Sequence, residues 1–293
     1  LKNKEDKLFT YAPEIQEEPL VVNGKTSFQP TYSPDGKEVA YLEERTTLKV
    51  VNRATKQIRT VLDGKYLYSY SDGDQHYQWS PDSRWLLVDY ISVGGWNNSD
   101  VALVKADGSG EVTNLTESGY SDGNAKWVLD GKAMIWNSDR AGYRSHGSWG
   151  AERDIYIMFF DGEAYDKFRQ SKEETALLED DEQKDKKDDK DDKEADKKEE
   201  KADKPVEPLK FDLANRQVRV IRLTAHSSHL GDAVLSQKGD KLYYCATFEK
   251  GYDLWEQDLK ERSTKLLLKE VGGGTLLTDK KVENLFLTSR GKL

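Results

Sequence analysis

Cysteine is almost absent from this chain of 293 residues, which contains one cysteine and two methionines. The single cysteine, Cys245, excludes an intramolecular disulfide. No apolar run reaches about 18 residues, so the sequence predicts no membrane-spanning helix. The formal net charge is -9 and no basic stripe is present, which argues against nucleic acid as a partner. The chain begins with Leu1 and shows no signal-peptide pattern, which indicates a processed or excised piece.

Much of the charge is concentrated in one segment. Residues 179–204 hold 14 acidic and 9 basic side chains among 26 residues. A segment of this composition cannot bury enough apolar surface to fold, so the sequence predicts a disordered, solvated insertion. A short helix is predicted just before the charged run. This inserted helix and the charged linker together cover about 165–208. A calcium site is the alternative, but the run lacks the glycine and the regular ligand spacing of an EF-hand loop.

A turn pattern recurs along the rest of the chain. The turns begin at Ser33, Ser80, Val128 and Ser236, with a weaker fifth at Thr278. The first two intervals are 47 and 48 residues and the last is 42, while the remaining interval contains the insertion. Propeller blades repeat every ~40–50 residues, so the spacing fits a β-propeller.

Short stretches of β-branched and aromatic residues follow the four strong turns, at Glu38–Leu42, Trp85–Asp89, Ala133–Trp136 and Lys241–Cys245. Such stretches indicate strands. We therefore predict an all-β fold, with residues 1–293 forming a single β-propeller domain of four-stranded antiparallel blades. A β-sandwich is the alternative, although a sandwich need not repeat its turn chemistry.

The two ends of the chain each predict half a blade. Phe9–Val22 looks like two later strands and Gly274–Leu293 like two early ones. If these halves pair, they close the ring, and the chain supplies about five blades, within the usual ~4–8. The alternative is that the chain is part of a larger propeller.

Four short motifs carry a family resemblance. They are Ser-Pro-Asp-Gly-Lys at 33–37, Ser-Asp-Arg-x-Gly at 138–142, Asp-Ile-Tyr at 154–156 and Asp-Gly at 161–162. The pattern resembles the TolB-type, WD-like propeller repeat. Such repeats occur in TolB, in the prolyl oligopeptidase and dipeptidyl peptidase group, and in tricorn-type proteases.

The chain is most similar to the propeller region of bacterial tricorn-like serine peptidases, through residues 70–75, 163–168 and 248–255 and the charged insertion. In that family the propellers precede a PDZ-like module and a serine peptidase domain, and guide or filter peptides. The resemblance implies a non-catalytic propeller that guides or gates peptides or unfolded polypeptide. Its other partners would be further domains of a parent peptidase, in a periplasmic or exported protein. The family's catalytic residues match no position in this chain.

Two other functions remain open. A TolB-like scaffold would dock folded partner proteins. A self-contained propeller hydrolase, such as a glycosidase, would need convergent carboxylates on several inner strands, and no repeated inward acidic residue argues for it.

Catalytic and metal-binding motifs are weak or missing in the sequence. No Gly-x-Ser-x-Gly motif is present, and the nearest stretch, 146–150, has His146 in place of the first glycine. His226 and His229 have a spacing that suits a metal ion, but no third ligand is evident. Cys245 lies in an apolar stretch, which predicts a buried, unreactive thiol. We therefore predict no catalytic residue, no metal and no cofactor.

Antiparallel blades place their loops on two faces. Loops between the second and third strands, and connections to the next blade, share one side, called here the first face. The charged insertion lies on the opposite side, the second face. Aromatic and arginine side chains on rigidly held loops are typical of recognition surfaces. The peptide-binding candidates on the first face are Tyr66, Tyr68, Tyr70, Trp96, Tyr143, Arg144, His146 and Trp149. The alternative is that these rings pack against neighbouring blades or against other domains.

Overall fold

The computed structural model describes residues 15, 17–92, 95, 97–146, 149–178, 207–279 and 282–289. Within these residues the chain forms four sheets of four antiparallel strands and one sheet of two. In each four-stranded sheet the hydrogen-bonded order follows the chain order, or its reverse, without a crossover. This arrangement confirms the all-β class and the four-stranded blades predicted from the sequence.

The strands of the four complete blades have the following bounds. Blade 1 contains β1 (Ser27–Tyr32), β2 (Glu38–Glu43), β3 (Thr47–Asn52) and β4 (Ile58–Leu62). Blade 2 contains β5 (Tyr77–Trp79), β6 (Trp85–Tyr90), β7 (Asp100–Lys105) and β8 (Val112–Asn114). Blade 3 contains β9 (Asp122–Val128), β10 (Ala133–Ser138), β11 (Asp154–Phe159) and β12 (Val220–Arg222). Blade 4 contains β13 (His229–Leu235), β14 (Lys241–Thr247), β15 (Asp253–Asp258) and β16 (Ser263–Leu268).

The turn between the first two strands is closed by a serine hydroxyl in three blades. Ser80 Oγ donates to Asp82 Oδ1 at 2.5 Å and accepts from the N–H of Trp85 at 2.9 Å. Ser33 and Ser236 make the equivalent pair of bonds in blades 1 and 4. Each hydroxyl therefore connects the start of the turn to the first residue of the next strand.

The third blade turns without this hydroxyl, because Val128 occupies the serine position. Leu129 and Asp130 adopt positive φ angles of 52° and 54°, followed by Gly131 at 85°. A Cβ atom on Gly131 would lie 2.7 Å from Leu209 Cδ1. Glycine is therefore required here both for its backbone conformation and for the close approach of Leu209.

A buried aspartate begins the third strand of blades 2 and 3. Asp154 accepts hydrogen bonds from the hydroxyls of Thr224 at 2.6 Å and Ser227 at 2.7 Å, both on the connection to blade 4. Asp100 accepts in the same way from the hydroxyl of Thr116, at 2.9 Å. Each carboxylate therefore fixes the connection that leads from its own blade to the next.

Apolar side chains fill the space between successive blades. The cluster between blades 1 and 2 contains Leu48 and Trp79, and that between blades 2 and 3 contains Leu103 and Trp136. Blades 3 and 4 pack through a third cluster that includes Phe159 and Tyr244. Because each sheet is apolar on both faces, neighbouring blades are needed to cover it.

The final sheet is half a blade. It contains β17 (Thr275–Thr278) and β18 (Leu285–Thr288), which confirms the two early strands predicted at this end of the chain. Leu276 packs against blade 4. Half of the stretch Phe9–Val22 lies outside the described residues, and residues 17–22 form no strand. Pairing of the two ends to close the ring, and a single domain over 1–293, therefore stay predictions.

The insertion separates the third and fourth strands of blade 3, as expected. Its helix α1 (Gly162–Arg169) begins slightly before the predicted 165, because Asp161 caps it by accepting from the N–H of Ala164 at 2.7 Å. Residues 172–178 are also helical, and the charged run at 179–206 lies outside the described residues. A 3-10 turn at Arg216–Arg219 precedes β12.

We expect Asp154→Ala to lower the free energy of unfolding by about 3 kcal/mol, because it leaves two hydroxyls and the Arg222 guanidinium, 2.8 Å away, without their acceptor. Urea denaturation measures the change. The control is Asp107→Ala, which breaks an exposed ion pair with Lys105 and should cost under about 1 kcal/mol. Equal losses in the two variants would contradict a structural role for the buried carboxylate.

The structure confirms that Cys245 is fully buried. Burial raises the pKa of its thiol to about 11. We expect native protein at about pH 8 to resist iodoacetamide, and urea-unfolded protein to react readily, since only the thiolate is nucleophilic. Because folding raises this pKa, stability should fall as the pH rises above the ordinary thiol pKa of ~8.5. Mass spectrometry of the alkylated protein gives the two rates, and similar rates would disprove the burial effect.

Candidate functional site

The connection from blade 1 to blade 2 carries a tyrosine pair on the first face. The rings of Tyr68 and Tyr70 meet edge to face, with centroids 5.2 Å apart. Tyr70 is 76% exposed and Tyr68 47%. A hydrogen bond between the two hydroxyls raises the pKa of Tyr68. The pair therefore presents two rings in a defined mutual orientation to solvent.

This connection is held from both sides by charged groups. Asp74 Oδ2 accepts from the N–H groups of Tyr70 and Ser71. Burial opposes ionisation of Asp74, yet these donors hold its pKa below the usual range. Arg45, on the loop between β2 and β3, forms an ion pair with Asp72 at 3.1 Å. The tyrosine pair is thus fixed to the loop of the preceding blade.

The long loop of blade 3, between β10 and β11, carries the second group of candidates. Tyr143 is 68% exposed and Trp149 is 73% exposed. His146 is also exposed, and its carbonyl accepts from the N–H of Trp149 at 3.4 Å. We call Tyr68, Tyr70, Tyr143 and Trp149 together the aromatic surface.

Arg144 anchors that loop rather than pointing freely outward. Its Nε donates to Asp139 Oδ2 at 3.1 Å, and a terminal nitrogen donates to Asn98 Oδ1 at 3.2 Å. The guanidinium also lies over the ring of Tyr120, 5.1 Å from its centroid. Because Asn98 and Tyr120 belong to the loops of blade 2, Arg144 joins the two blades on the first face.

Two buried carboxylates support the loop from below. Asp122 and Asp139 have no exposed surface. Asp122 binds Arg140 through both of its oxygens at 3.1 Å and accepts from the Trp136 indole at 3.0 Å. Asp139 accepts from the N–H of Ser121 at 2.9 Å as well as from Arg144. Charge-assisted bonds of this kind fix side-chain geometry, so the exposed rings stand on an ordered base.

A further buried carboxyl joins blades 2 and 3 near their inner strands. Asp89 Oδ2 accepts from the N–H of Asn124 at 2.7 Å, and a Cβ on Gly123 would collide with it. Burial raises the pKa of Asp89, against the opposing effect of nearby His76. His76 Nε2 lies 2.7 Å from the carbonyl oxygen of Ala125.

The structure places the eight predicted residues in different settings. Tyr66 is half-buried and packs on the core between blades 1 and 2, while Trp96 lies outside the described residues. Arg144 holds the loop, and His146 and the four members of the aromatic surface are exposed. No observation tests binding by these residues, so their role stays a prediction.

Sequence reasoning missed the buried partners of this surface. Asp122 and Asp139 became evident only from the structure, although Asp139 and Arg140 belong to the Ser-Asp-Arg-x-Gly motif. The motif therefore marks a structural centre: Ser138 Oγ accepts from Arg140 Nε at 3.0 Å, and Gly142 contacts Glu152.

No protein-family profile matches the chain, and no curated protein sequence matches it. Solved structures do. TolB from Acinetobacter baumannii is 16% identical over 91% of this chain and 49% of its own, with a TM-score of 0.51. The chain has the fold of a TolB-type propeller. A putative TolB from Agrobacterium tumefaciens is 14% identical over 92% of this chain and 82% of its own, with a TM-score of 0.48. A prolyl endopeptidase is 13% identical over 86% of this chain and 31% of its own, with a TM-score of 0.48.

This TolB-type propeller spans about half the length of the Acinetobacter TolB. In the described residues, no group of three His, Cys, Asp or Glu side chains is arranged to hold a metal ion. His229 is the first residue of β13. None of the described helices is long and apolar enough to cross a membrane. The chemistry evident on the first face is that of aromatic and polar contacts.

We expect Gly142→Ala to displace the loop that carries Tyr143 and Trp149 in this TolB-type propeller. A Cβ at Gly142 would lie 2.3 Å from the carbonyl oxygen of Glu152, which is backbone and cannot rotate away. We expect the free energy of unfolding to fall by about 1–3 kcal/mol, and the loop to be cleaved faster by proteases. The control is Gly119→Ala, also on the first face, where a Cβ meets nothing within 4 Å. If both variants are cleaved at the wild-type rate, the close packing at Gly142 does not hold this loop.

Proposed function

We propose that this domain is a non-catalytic propeller of a tricorn-like peptidase, which guides or gates peptide substrates toward a serine peptidase domain outside this chain. The observation that supports it is the aromatic surface, whose rings are exposed although their loops are fixed by ion pairs. These pairs involve the buried Asp122 and Asp139 beneath Tyr143 and Trp149, and the exposed Asp72 beside the tyrosine pair. A rigid scaffold with exposed rings needs no folding step before it binds.

Unstructured polypeptide is the ligand that suits this surface best. Tyrosine and tryptophan supply large contact areas at low cost in side-chain entropy, and they accept many different partner side chains. Arg144 and the carboxylates Asp122 and Asp139 are already paired with one another or with Arg140. The surface therefore offers ring faces and hydroxyls more than unpaired charge, which favours binding with little sequence preference.

The tricorn-like assignment and a periplasmic or exported location rest on the sequence resemblance at residues 70–75, 163–168 and 248–255. Two of these stretches fall on structural features of the fold. Residues 70–75 belong to the connection that carries the tyrosine pair, and 163–168 lie in α1 beside the charged run. In the proposed arrangement the first face receives the peptide, and the peptidase domain carries out the cleavage.

A TolB-like interaction scaffold is the second candidate. It is supported by the likeness to TolB at a TM-score of 0.51, and the same aromatic surface would then dock a folded protein. The two functions differ in ligand: the first predicts binding of unstructured peptides, the second requires a folded partner. They also differ in whether the parent gene encodes a peptidase domain.

We expect unstructured peptides rich in apolar residues to bind this chain saturably, as measured by titration calorimetry. Trp149→Ala should weaken binding about tenfold or more, because a central aromatic anchor typically contributes at least ~1.4–2 kcal/mol. The matched control is Tyr32→Ala, which removes a ring that is 64% exposed on β1, outside the first-face loops.

Equal weakening by both substitutions would mean nonspecific adsorption to exposed rings. No heat with any peptide would refute the peptide-guiding role and favour the scaffold. In the full parent protein, Trp149→Ala should slow cleavage of long unstructured chains and leave cleavage of short blocked substrates unchanged. Equal slowing of both substrates would argue against gating.

A further inference from the structure

A cavity of about 370 Å³ opens at the second face, lined by residues of blades 2, 3 and 4 and of the half-blade. It lies where the inner strands β9, β13 and β17 end in their turns. A volume of this size is at the small end of ligand pockets, which run from ~300 to 1,000 Å³. Its apolar walls include Trp127, Val128, Ile135, Leu235, Leu276 and Leu277.

Lys126 is the charged group that lines the cavity from the inner strand β9. Its side chain is only 18% exposed. Its ammonium donates to Asp232 Oδ1 at 2.5 Å and to the carbonyl oxygen of Ala233 at 3.1 Å. An ammonium group carries three hydrogens, so one donor is left for an acceptor in the cavity.

Asp232 is already hydrogen-bonded to other groups of the protein through both of its oxygens. Oδ1 also accepts from the N–H of Ala233, at 2.8 Å, and Oδ2 accepts from the N–H of Leu276, at 2.9 Å. The remaining N–H of Lys126 can therefore donate to a ligand acceptor that enters the cavity. That acceptor would lie among the apolar side chains that line the cavity.

The charges near Lys126 decide what kind of acceptor fits. Asp232 neutralises the ammonium, and a second carboxylate, Asp130, also lines the cavity. An anionic ligand beside Lys126 would also meet the negative charge of the largely buried Asp232, which is unfavourable away from bulk water. A neutral carbonyl oxygen accepts a hydrogen bond from Lys126 without that repulsion.

We propose that this cavity binds a single apolar side chain from within a peptide, with a neighbouring amide carbonyl of that peptide accepting from Lys126. The site is separate from the aromatic surface and does not depend on its function. Leucine, isoleucine and phenylalanine are the side chains that such walls select.

N-acetyl-leucinamide is the probe, since it combines one apolar side chain with neutral carbonyl groups. Ligand-observed NMR and calorimetry with this chain should show saturable binding. N-acetyl-glycinamide, which lacks the side chain, and N-acetyl-leucine, which carries a carboxylate, should each bind at least tenfold more weakly. Tighter binding of N-acetyl-leucine would overturn the neutral-carbonyl assignment, and equal binding of the glycine compound would overturn the apolar pocket.

Leu277→Asp places a charge on the cavity wall at a position that is already 48% exposed, so the fold should tolerate it. Binding of N-acetyl-leucinamide should fall at least tenfold. The matched control is Leu268→Asp, at a leucine of the outer strand β16 that is 56% exposed and does not line the cavity. An unchanged affinity in Leu277→Asp, or an equal loss in the control, would refute the site.

Lys126→Met tests the hydrogen bond separately. It should weaken N-acetyl-leucinamide several-fold and abolish the preference for the amide over the free carboxylic acid. Circular dichroism checks its folding, because the substitution leaves Asp232 without its cation; if the variant unfolds, Leu277→Asp alone decides. Trp149→Ala should leave this binding unchanged, which separates the cavity from the aromatic surface.

Discussion

The buried carboxylate at the start of the third strand determines how one blade connects to the next. Asp100 and Asp154 accept from hydroxyls of the connecting segment, and Asp253 accepts from the N–H of Glu270 at 2.8 Å. An ionised group without exposed surface is tolerated only when its acceptor positions are filled, so the connection must follow a path that supplies donors. The position of the first-face connections follows from this requirement in blades 2 and 3, whereas Asp253 of blade 4 is only half-buried.

Blade 1 shows what happens without that carboxylate. Thr47 begins its third strand, and the connection from β4 to β5 is long. Here the donors and acceptors come from the connection itself, through Asp74, and from the ion pair of Arg45 with Asp72. This connection, which lacks the carboxylate anchor, is the one that carries the exposed pair of tyrosine rings. The local ion pair of Arg45 with Asp72 holds this connection without burying the rings.

Local chemistry explains which features the sequence could predict. The serine-aspartate turns were predictable because every group involved lies within five residues of the first, as in Ser80 to Trp85. The bond between Lys126 and Asp232 joins residues 106 apart, so no local pattern marks it. The same holds for the half-buried state of Tyr66, which depends on packing against blade 2. The guanidinium of Arg219 likewise binds the carbonyl oxygen of Phe159, 60 residues away in the chain.

The inner strand β9 contributes residues to both proposed binding regions, the aromatic surface and the second-face cavity. Its first residue, Asp122, lies under the aromatic loop of blade 3, and its last residue, Val128, lines the second-face cavity. With a rise of about 3.4 Å per residue, these ends are roughly 20 Å apart. An extended peptide needs about six or seven residues to cover that distance, since it has the same rise. Peptides shorter than this can occupy one region at a time, so any gain in affinity from joining the two would begin only at that length.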